Sequence, residues 1–362
     1  MSNGALVRFV LAVALALGLG LTGCSATNPY YDPAKPHHRV NGFNNNYLDN
    51  SSIGQGFWRW QWSNLWATRA ADRPERVPSK SVDLAYLKAN RSDITVTWIG
   101  HSTSLWQIGG KNLLVDPHFH QRASPVSWAG PKRLQAPAIA LADLPHIDAV
   151  VVSHNHYDHL DRPTVLDLNR QAGGPPLFIV PLGIDQWLKD QGIVNVVGLD
   201  WWQHRDLGAV RVSLVPAQHW SARSPFDRHQ SLWGGFVAKH QDYSMYYSGD
   251  TGYSKDFLDI RARFGGFDFA QIPVACYEPR WFMQNQHVNE PEAIQIHRDI
   301  GSKRSMGVHW GTFRLCDEPV DTALDEFAKS ASKAGLQAEE FALPALGETW
   351  VLRKAGINHA KD

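Results

Sequence analysis

Between Ser153 and Asp161 the chain reads Ser-His-Asn-His-Tyr-Asp-His-Leu-Asp, three imidazoles and two carboxylates in nine residues. His154 and His156 are two apart, so an extended or turning backbone can aim both at one ion. Asp158 and His159 are adjacent and can turn toward a second. Imidazole nitrogen and carboxylate oxygen are donors that zinc takes, and a hydrolytic zinc centre keeps one position for water. A single ion does not use this many donors. Two ions do, and they need further donors from elsewhere in the chain.

Three other residues occupy similar settings. His219 follows the β-like run Val210–Val215, Asp250 follows Ser244–Tyr247 within Ser-Gly-Asp-Thr-Gly, and His309 follows the short apolar run that ends at Val308. The opening loop itself leaves Ala149-Val-Val-Val152, a buried strand by composition. A carboxylate such as Asp250 can bridge two cations. Tyr157 either lines such a site or packs beside it. The pairs His37/His38 and His118/His120 lack these strand-end contexts, and we assign them no metal.

The elements that must position these residues are short β runs mixed with helices. Ile94–Ile99, Leu105–Ile108 and Asn112–Asp116 read as strands, the last two joined by a Gly109-Gly110 turn. Phe178–Val180, Val194–Val197, Trp233–Ala238 and Phe269–Ile272 are further strands. Helices are expected over Pro163–Asn169, Gly183–Gln191, Pro291–Ile300 and Asp321–Ala334. Hairpins early and β–α alternation later predict layered sheets covered by helices. In Phe57-Trp-Arg-Trp-Gln-Trp-Ser-Asn-Leu-Trp66 the aromatics fit either a strand or a helical face. They pack in the core or touch a membrane interface.

With 362 residues, 43% hydrophobic and 19% charged, the chain has ample material for a core. Lys+Arg and Asp+Glu are equal at 35 each, which argues against nucleic acid as a partner. The N-terminus reads as a targeting segment. Arg8 precedes the apolar run Phe9–Gly20, and Leu21-Thr-Gly-Cys24 resembles the lipobox of bacterial lipoproteins. Cleavage before Cys24 and its lipidation would make residues 1–23 a signal peptide and hold the chain to the cell envelope. Ser25 after the cysteine predicts sorting to the outer membrane, facing the periplasm. Residues 24–93 then form a lipid-anchored tether and N-terminal wrap, and 94–355 the catalytic domain. Cys276 and Cys316, far apart in sequence, are read as small buried residues without a disulfide framework.

The ordered series His154-Asn-His-Tyr-Asp-His159, then a His, an Asp and a His, resembles the metallo-β-lactamase superfamily. Val96–Thr103, Arg122–Pro125, Gly130–Arg133, Leu199–Trp202, Gly249–Tyr253, Tyr277–Met283, Gln286–Val288 and His309–Phe313 look like one branch of it, the N-acyl-phosphatidylethanolamine-hydrolysing phospholipase D family. The likeness runs from about residue 94 to about 350.

The resemblance implies a four-layer αββα sandwich of α/β class with two Zn2+. His154, His156 and His219 would hold one ion, Asp158, His159 and His309 the other, and Asp250 both. A water between the ions would then supply hydroxide to a phospholipid phosphodiester, releasing N-acylethanolamine and phosphatidic acid. Asp158 would also orient that water, His287 would lie near the substrate phosphate, and His101 and Asp116 would support the loops. The proline after His287 stands one place later than the family pattern, at Pro291, which puts its helix start in question. Two other readings remain open. One is a hydrolase of the same fold acting on a lactone, a β-lactam or another phosphodiester. The other is a non-catalytic metal-binding envelope lipoprotein. The family segments favour the phospholipase over the first, and the intact donor set disfavours the second.

Overall fold

The strand Ala149–Val151 and the residue after it are apolar at every position because both faces of the sheet are covered. Ala149 and Val151 join the core between the two sheets, beside Leu113, Val115 and Ile179. Val150 and Val152 point the other way, onto Leu160, Val165, Leu168 and Phe178. Alternation with period two thus feeds two different cores.

The computed structural model describes residues 27–64 and 70–356. The expected signal peptide and Cys24 lie outside the described residues, as do Leu65 and Trp66 of the Trp-rich stretch. Strands β1 (His38–Arg39) and β2 (Gly42–Phe43) form a small hairpin in the N-terminal wrap. The first large sheet contains β3 (Ile94–Gly100), β4 (Thr103–Ile108), β5 (Lys111–Val115), β6 (Ala149–Val151), β7 (Leu177–Pro181) and β8 (Val196–Leu199). The second contains β9 (His204–Leu207), β10 (Val210–Val215), β11 (Gly235–His240), β12 (Tyr243–Tyr247), β13 (Phe269–Pro273), β14 (Ser305–Val308) and β15 (Phe341–Ala342). β16 (Thr349–Arg353) returns to pair with β3. Each sheet therefore has seven strands, in the orders β16-β3-β4-β5-β6-β7-β8 and β15-β14-β13-β12-β11-β10-β9.

β5 to β8 are mutually parallel, and so are β12 to β15. Parallel neighbours need crossover connections, and these carry the outer helices. The helices are α1 (Phe57–Asn64), α2 (Leu84–Ala89), α3 (Arg162–Leu168), α4 (Ile184–Asp190), α5 (Asp256–Phe264), α6 (Arg280–Met283), α7 (Glu290–Asp299) and α8 (Thr322–Ala334). α3 and α4 pack on the first sheet through Val165, Leu168, Ile184 and Leu188. Ile294, Ile296 and Phe327 of α7 and α8 join the other core. The result is the expected αββα sandwich.

α7 begins at Glu290, with Asn289 and Glu292 forming a reciprocal capping box and Pro291 in the first turn. The displaced proline is thus absorbed by the cap. Four tryptophans, at 98, 106, 233 and 310, are fully buried. Their indole N–H groups all find acceptors, as burial requires: the carbonyl of His101, the Gln271 side chain, the carbonyl of Ala217 and that of Gly307. Trp98 and Trp310 stack with centroids 5.0 Å apart. Of the 15 tryptophans in the chain, these four therefore floor the strand-end turns.

Two sequence readings need revision. The 57–66 stretch is helical through Asn64, with Trp60 stacked on Phe282 at 5.1 Å while Trp62 is 67% exposed. Cys276 and Cys316 are not separate buried thiols but a disulfide, with Cα atoms 5.1 Å apart across 40 residues of sequence. The reason is topological. Cys276 lies just past β13 and Cys316 past its parallel neighbour β14, so both loops leave the same edge.

Candidate metal centre

Six strands of the two sheets send their carboxyl-end residues to one edge, the usual location of sites in parallel α/β sheets. From the first sheet come His101 after β3, Asp116 after β5, and the His154–His159 loop after β6. The second sheet contributes His219 after β10, Asp250 after β12 and His309 after β14. His101, Asp116 and His309 have φ of 53°, 38° and 67°. Such left-handed backbone costs a residue with a Cβ and is held in place by its surroundings.

The seven expected donors converge. His154, His156 and His219 bring ligand atoms within 4.8 Å of one another, and Asp158, His159 and His309 do the same together with His101. Asp250 lies between the two groups. Its Oδ2 is 3.1 Å from His159 Nε2, 3.0 Å from His309 Nε2 and 3.9 Å from His154 Nε2. Asp158 Oδ2 lies 3.1 Å from His159 Nε2 and 3.3 Å from His309 Nε2. His156 Nδ1 and His219 Nε2 face each other at 3.3 Å.

The outer atoms of these rings are held by hydrogen bonds. His159 Nδ1 donates to Asp116 Oδ2 at 2.7 Å, and His219 Nδ1 donates to the carbonyl of Gln286 at 2.9 Å. His154 Nδ1 lies 2.9 Å from Ser153 Oγ, which itself donates to Asp116. Each bond leaves Nε2 as the lone-pair atom turned inward, the arrangement that metal-binding histidines use. The inward atoms test the fit. His154 Nε2, His159 Nε2 and Asp250 Oδ1 are buried without a hydrogen-bond partner, a costly state unless a cation takes their lone pairs. The donor set fits metal.

Electrostatics agree with that fit. Burial alone opposes ionisation of Asp158 and Asp250, yet the surrounding imidazoles, His159 foremost, hold both well below the usual carboxylate range. Burial pushes His156 and His219 down to about 3, so they are neutral donors. Burial also pulls His309 down, but Asp250 and Asp158 outweigh it and raise it to about 9. A proton on Nε2 thus sits where a cation would sit.

The remaining expected residues fall into place around this centre. His101 Nε2 donates to Asp158 Oδ2 at 2.9 Å, so it orients that carboxylate. His287 lies on the open side, Nδ1 3.9 Å from Asp250 Oδ2 and without a hydrogen-bond partner. Tyr157 turns away: its hydroxyl donates to the Arg223 carbonyl, and the Arg223 guanidinium covers its ring at 4.0 Å. His37 and His38 both contact Asp200, at 2.7 and 3.0 Å, and Lys35 Nζ reaches the same carboxylate at 2.6 Å. His37, His38 and Asp200 are close enough to share an ion, but Lys35 already supplies the positive charge there. Ser153, Tyr247 and Gln286, which hold the ligands' outer atoms or Asp116, carry no sequence signal for that role.

A groove of about 220 Å3 reaches the centre, walled by Phe57, Trp60, Phe282, Met283 and Leu315, with His287 at its inner end. The Cys276–Cys316 disulfide forms part of the same wall. A larger cavity of about 720 Å3 opens beyond Tyr157, beside Arg122, Arg162 and Arg223, but none of the seven donors lines it. The groove is therefore the approach to the centre.

Known proteins give the arrangement a family. The Beta-lactamase superfamily domain matches residues 111–310, which include all seven donors. The chain is 36% identical over 279 residues to N-acyl-phosphatidylethanolamine-hydrolyzing phospholipase D 1 of Caenorhabditis elegans, covering 72% of this chain and 76% of that protein. It is 40% identical over 273 residues to an uncharacterized protein of Mycobacterium tuberculosis, covering 74% and 72%. Isothiocyanate hydrolase from Delia radicum gut bacteria shares the fold, with a TM-score of 0.58 at 19% identity over 72% of this chain and 100% of that one. The chain is a metal-dependent hydrolase; it belongs to the metallo-β-lactamase superfamily and, within it, to the family that includes N-acyl-phosphatidylethanolamine-hydrolysing phospholipase D.

Proposed function

We propose that the protein is a dinuclear zinc phosphodiesterase of phospholipase D type acting on N-acyl-phosphatidylethanolamine-like lipids. The observation that carries this reading is the apolar groove that ends at His287 and the seven-donor centre. Two zinc ions bound there would supply the acidity that yields hydroxide at neutral pH and the charge that neutralises phosphodiester oxygens. The chain's own residues do the rest. Asp250, between the two donor groups, and Asp158, within one of them, stay ionised. His287, its imidazole pushed down to about 3 by burial, is neutral and offers a hydrogen bond to a phosphate oxygen. Phe57, Trp60, Phe282 and Met283 receive acyl chain and exclude water. In the net reaction, water gives its oxygen to phosphorus and a proton to the leaving ethanolamine oxygen. The P–O bond to the headgroup breaks, leaving phosphatidic acid and N-acylethanolamine.

In this reading the protein is tethered through a lipidated Cys24 to the outer membrane, facing the periplasm. The disulfide supports an oxidising compartment. Exposed Phe57, Trp62 and Trp281 support contact between the groove mouth and lipid. Among the described residues no helix is long and apolar enough to cross a membrane. The deciding experiment incubates zinc-loaded protein with N-acyl-phosphatidylethanolamine, phosphatidylethanolamine, phosphatidylcholine and a lactone. Release of N-acylethanolamine with about two zinc ions per chain is expected. A fully metallated protein that spares the N-acylated lipid and opens the lactone would overturn the reading.

A further inference from the structure

Of the three donors from the second sheet, His219 lies farthest from its strand. It lies four residues past the end of β10 and makes no ladder bond of its own. Its backbone is held instead by a residue from the N-terminal wrap, far outside the region the superfamily match covers. Asn45 Oδ1 accepts from the His219 N–H at 3.0 Å, and Asn45 Nδ2 donates to the His219 carbonyl at 3.0 Å. The side-chain amide thus pairs with one residue as a neighbouring strand would.

Asn45 is 3% exposed, and its hydrogen-bonding capacity is fully used. Oδ1 also accepts from Trp233 Nε1 at 3.2 Å, and Nδ2 also donates to Asn50 Oδ1 at 2.9 Å. These partners fix which end of the amide is oxygen. The wrap that carries it is fastened on both sides. Phe43 donates its N–H to the His229 carbonyl, and Asn46 donates to Asp256. Further along, Arg228 and Asn285 donate to the carbonyls of Ile53 and Ser52. On its other side His219 donates Nδ1–H to Gln286, next to His287. The ring is therefore held at backbone and side chain by two segments, and its remaining nitrogen faces His156 and His154.

We propose that Asn45 is a positioning residue of the metal centre, so that the wrap completes the His154/His156/His219 site rather than only leading to the domain. This rests on the reading of those residues as metal ligands. Outer partners of ligating histidines typically change metal affinity or activity by 10–100-fold when removed. In N45D, an acceptor would replace the donor that faces the His219 carbonyl and Asn50, at unchanged volume.

The test measures zinc affinity of the full chain by competition with a chromophoric chelator, without substrate. Alongside it come kcat, KM and the unfolding midpoint of the metal-free protein. For N45D we expect zinc held about 10–100-fold more weakly at one site and kcat reduced with KM little changed. N50A, which keeps the Asn45 amide but removes one of its acceptors along with the bonds of Asn50 to Asn45 N–H and the Phe43 carbonyl, should give a smaller weakening in the same direction, and it decides the matter if N45D does not fold. Y47F, which loses only an exposed bond to Asp259, should keep native affinity. Native zinc affinity in both N45D and N50A, even with a lowered unfolding midpoint, would make the role merely structural and overturn the proposal. A native chain that binds no zinc would overturn the metal reading as well, and the two failures are thereby told apart.

Discussion

The sharpest consequence of the centre's outer hydrogen bonds concerns Asp116, which accepts from the outer nitrogen of His159. It is 0% exposed and accepts four hydrogen bonds. Ser153 N–H reaches Oδ1 at 2.7 Å, while Ser153 Oγ, His159 Nδ1 and Tyr247 OH reach Oδ2 at 2.6, 2.7 and 2.6 Å. Asp116→Asn keeps the volume and can keep the bond at Oδ1, but it turns an amide NH2 toward three donors. The Ser153 and Tyr247 hydroxyls can rotate to accept. His159 can accept only by moving its proton from Nδ1 to Nε2, the atom 3.1 Å from Asp158 and Asp250 that must carry a lone pair toward metal. One hydrogen bond to a charged group is thus unrecoverable while metal is bound, about 1.5–3 kcal/mol, or roughly 10- to 150-fold in affinity. Chelator competition measures that loss, and nitrogen-resolved NMR of His159 reports which ring atom carries the proton. Native zinc affinity in D116N, with Nε2 still unprotonated, would refute the argument that Asp116 sets the tautomer.

Asp250→Asn should lower hydrolysis at least about 100-fold and weaken both donor groups, because the carboxylate lies between them; a chelator titration and a kcat measurement check this, and full activity would remove Asp250 from the site. Replacing Cys276 with Ser opens a cross-link spanning 40 residues, worth about 4 kcal/mol by chain entropy. The urea midpoint should fall accordingly, and an unchanged midpoint would mean that the packing around the pair suffices. Glu290, 3% exposed, has its carboxyl pushed up to about 7 by burial, against the opposing hydrogen bond from Tyr277. An acid raised on folding holds its proton more tightly in the native state, so stability falls as pH rises from about 4.5 to about 7, by roughly 3 kcal/mol. Glu290→Gln should flatten that slope in urea titrations across the same window; an unaltered slope would place the titration elsewhere.

What the sequence disclosed, and what it did not, follows the range of the contacts. The loop 153–161 was legible because its donors are adjacent in the chain, and His219, Asp250 and His309 because each ends an apolar run. The strands and helices read from period-two and capping signals appear with ends displaced by one or two residues, whereas β9, β16, α2 and α5 were not foreseen. The contacts that tune the donors are long-range and leave no local trace. Asn45 and His219 are 174 residues apart, Asp116 and Tyr247 131. The same holds for Cys276 and Cys316, whose proximity depends on two strands being parallel neighbours. Phe57–Asn64 was ambiguous because aromatics spaced by two fit both periods until Phe282 provides one partner face.

The division of donors between the sheets explains why the site needs the whole sandwich. The first sheet alone supplies His154, His156, Asp158 and His159, but its carboxylate is only one against three imidazoles. Across the interface the second supplies His219, Asp250 and His309, and it is Asp250 that faces both groups. Neither half is a complete coordination sphere, and each buries polar atoms that the other cannot satisfy by hydrogen bonding. Metal would therefore stabilise the packed pair of sheets over either sheet alone. The Asn45 clamp extends the same logic, since it fastens the donor from the second sheet that lies farthest from its strand.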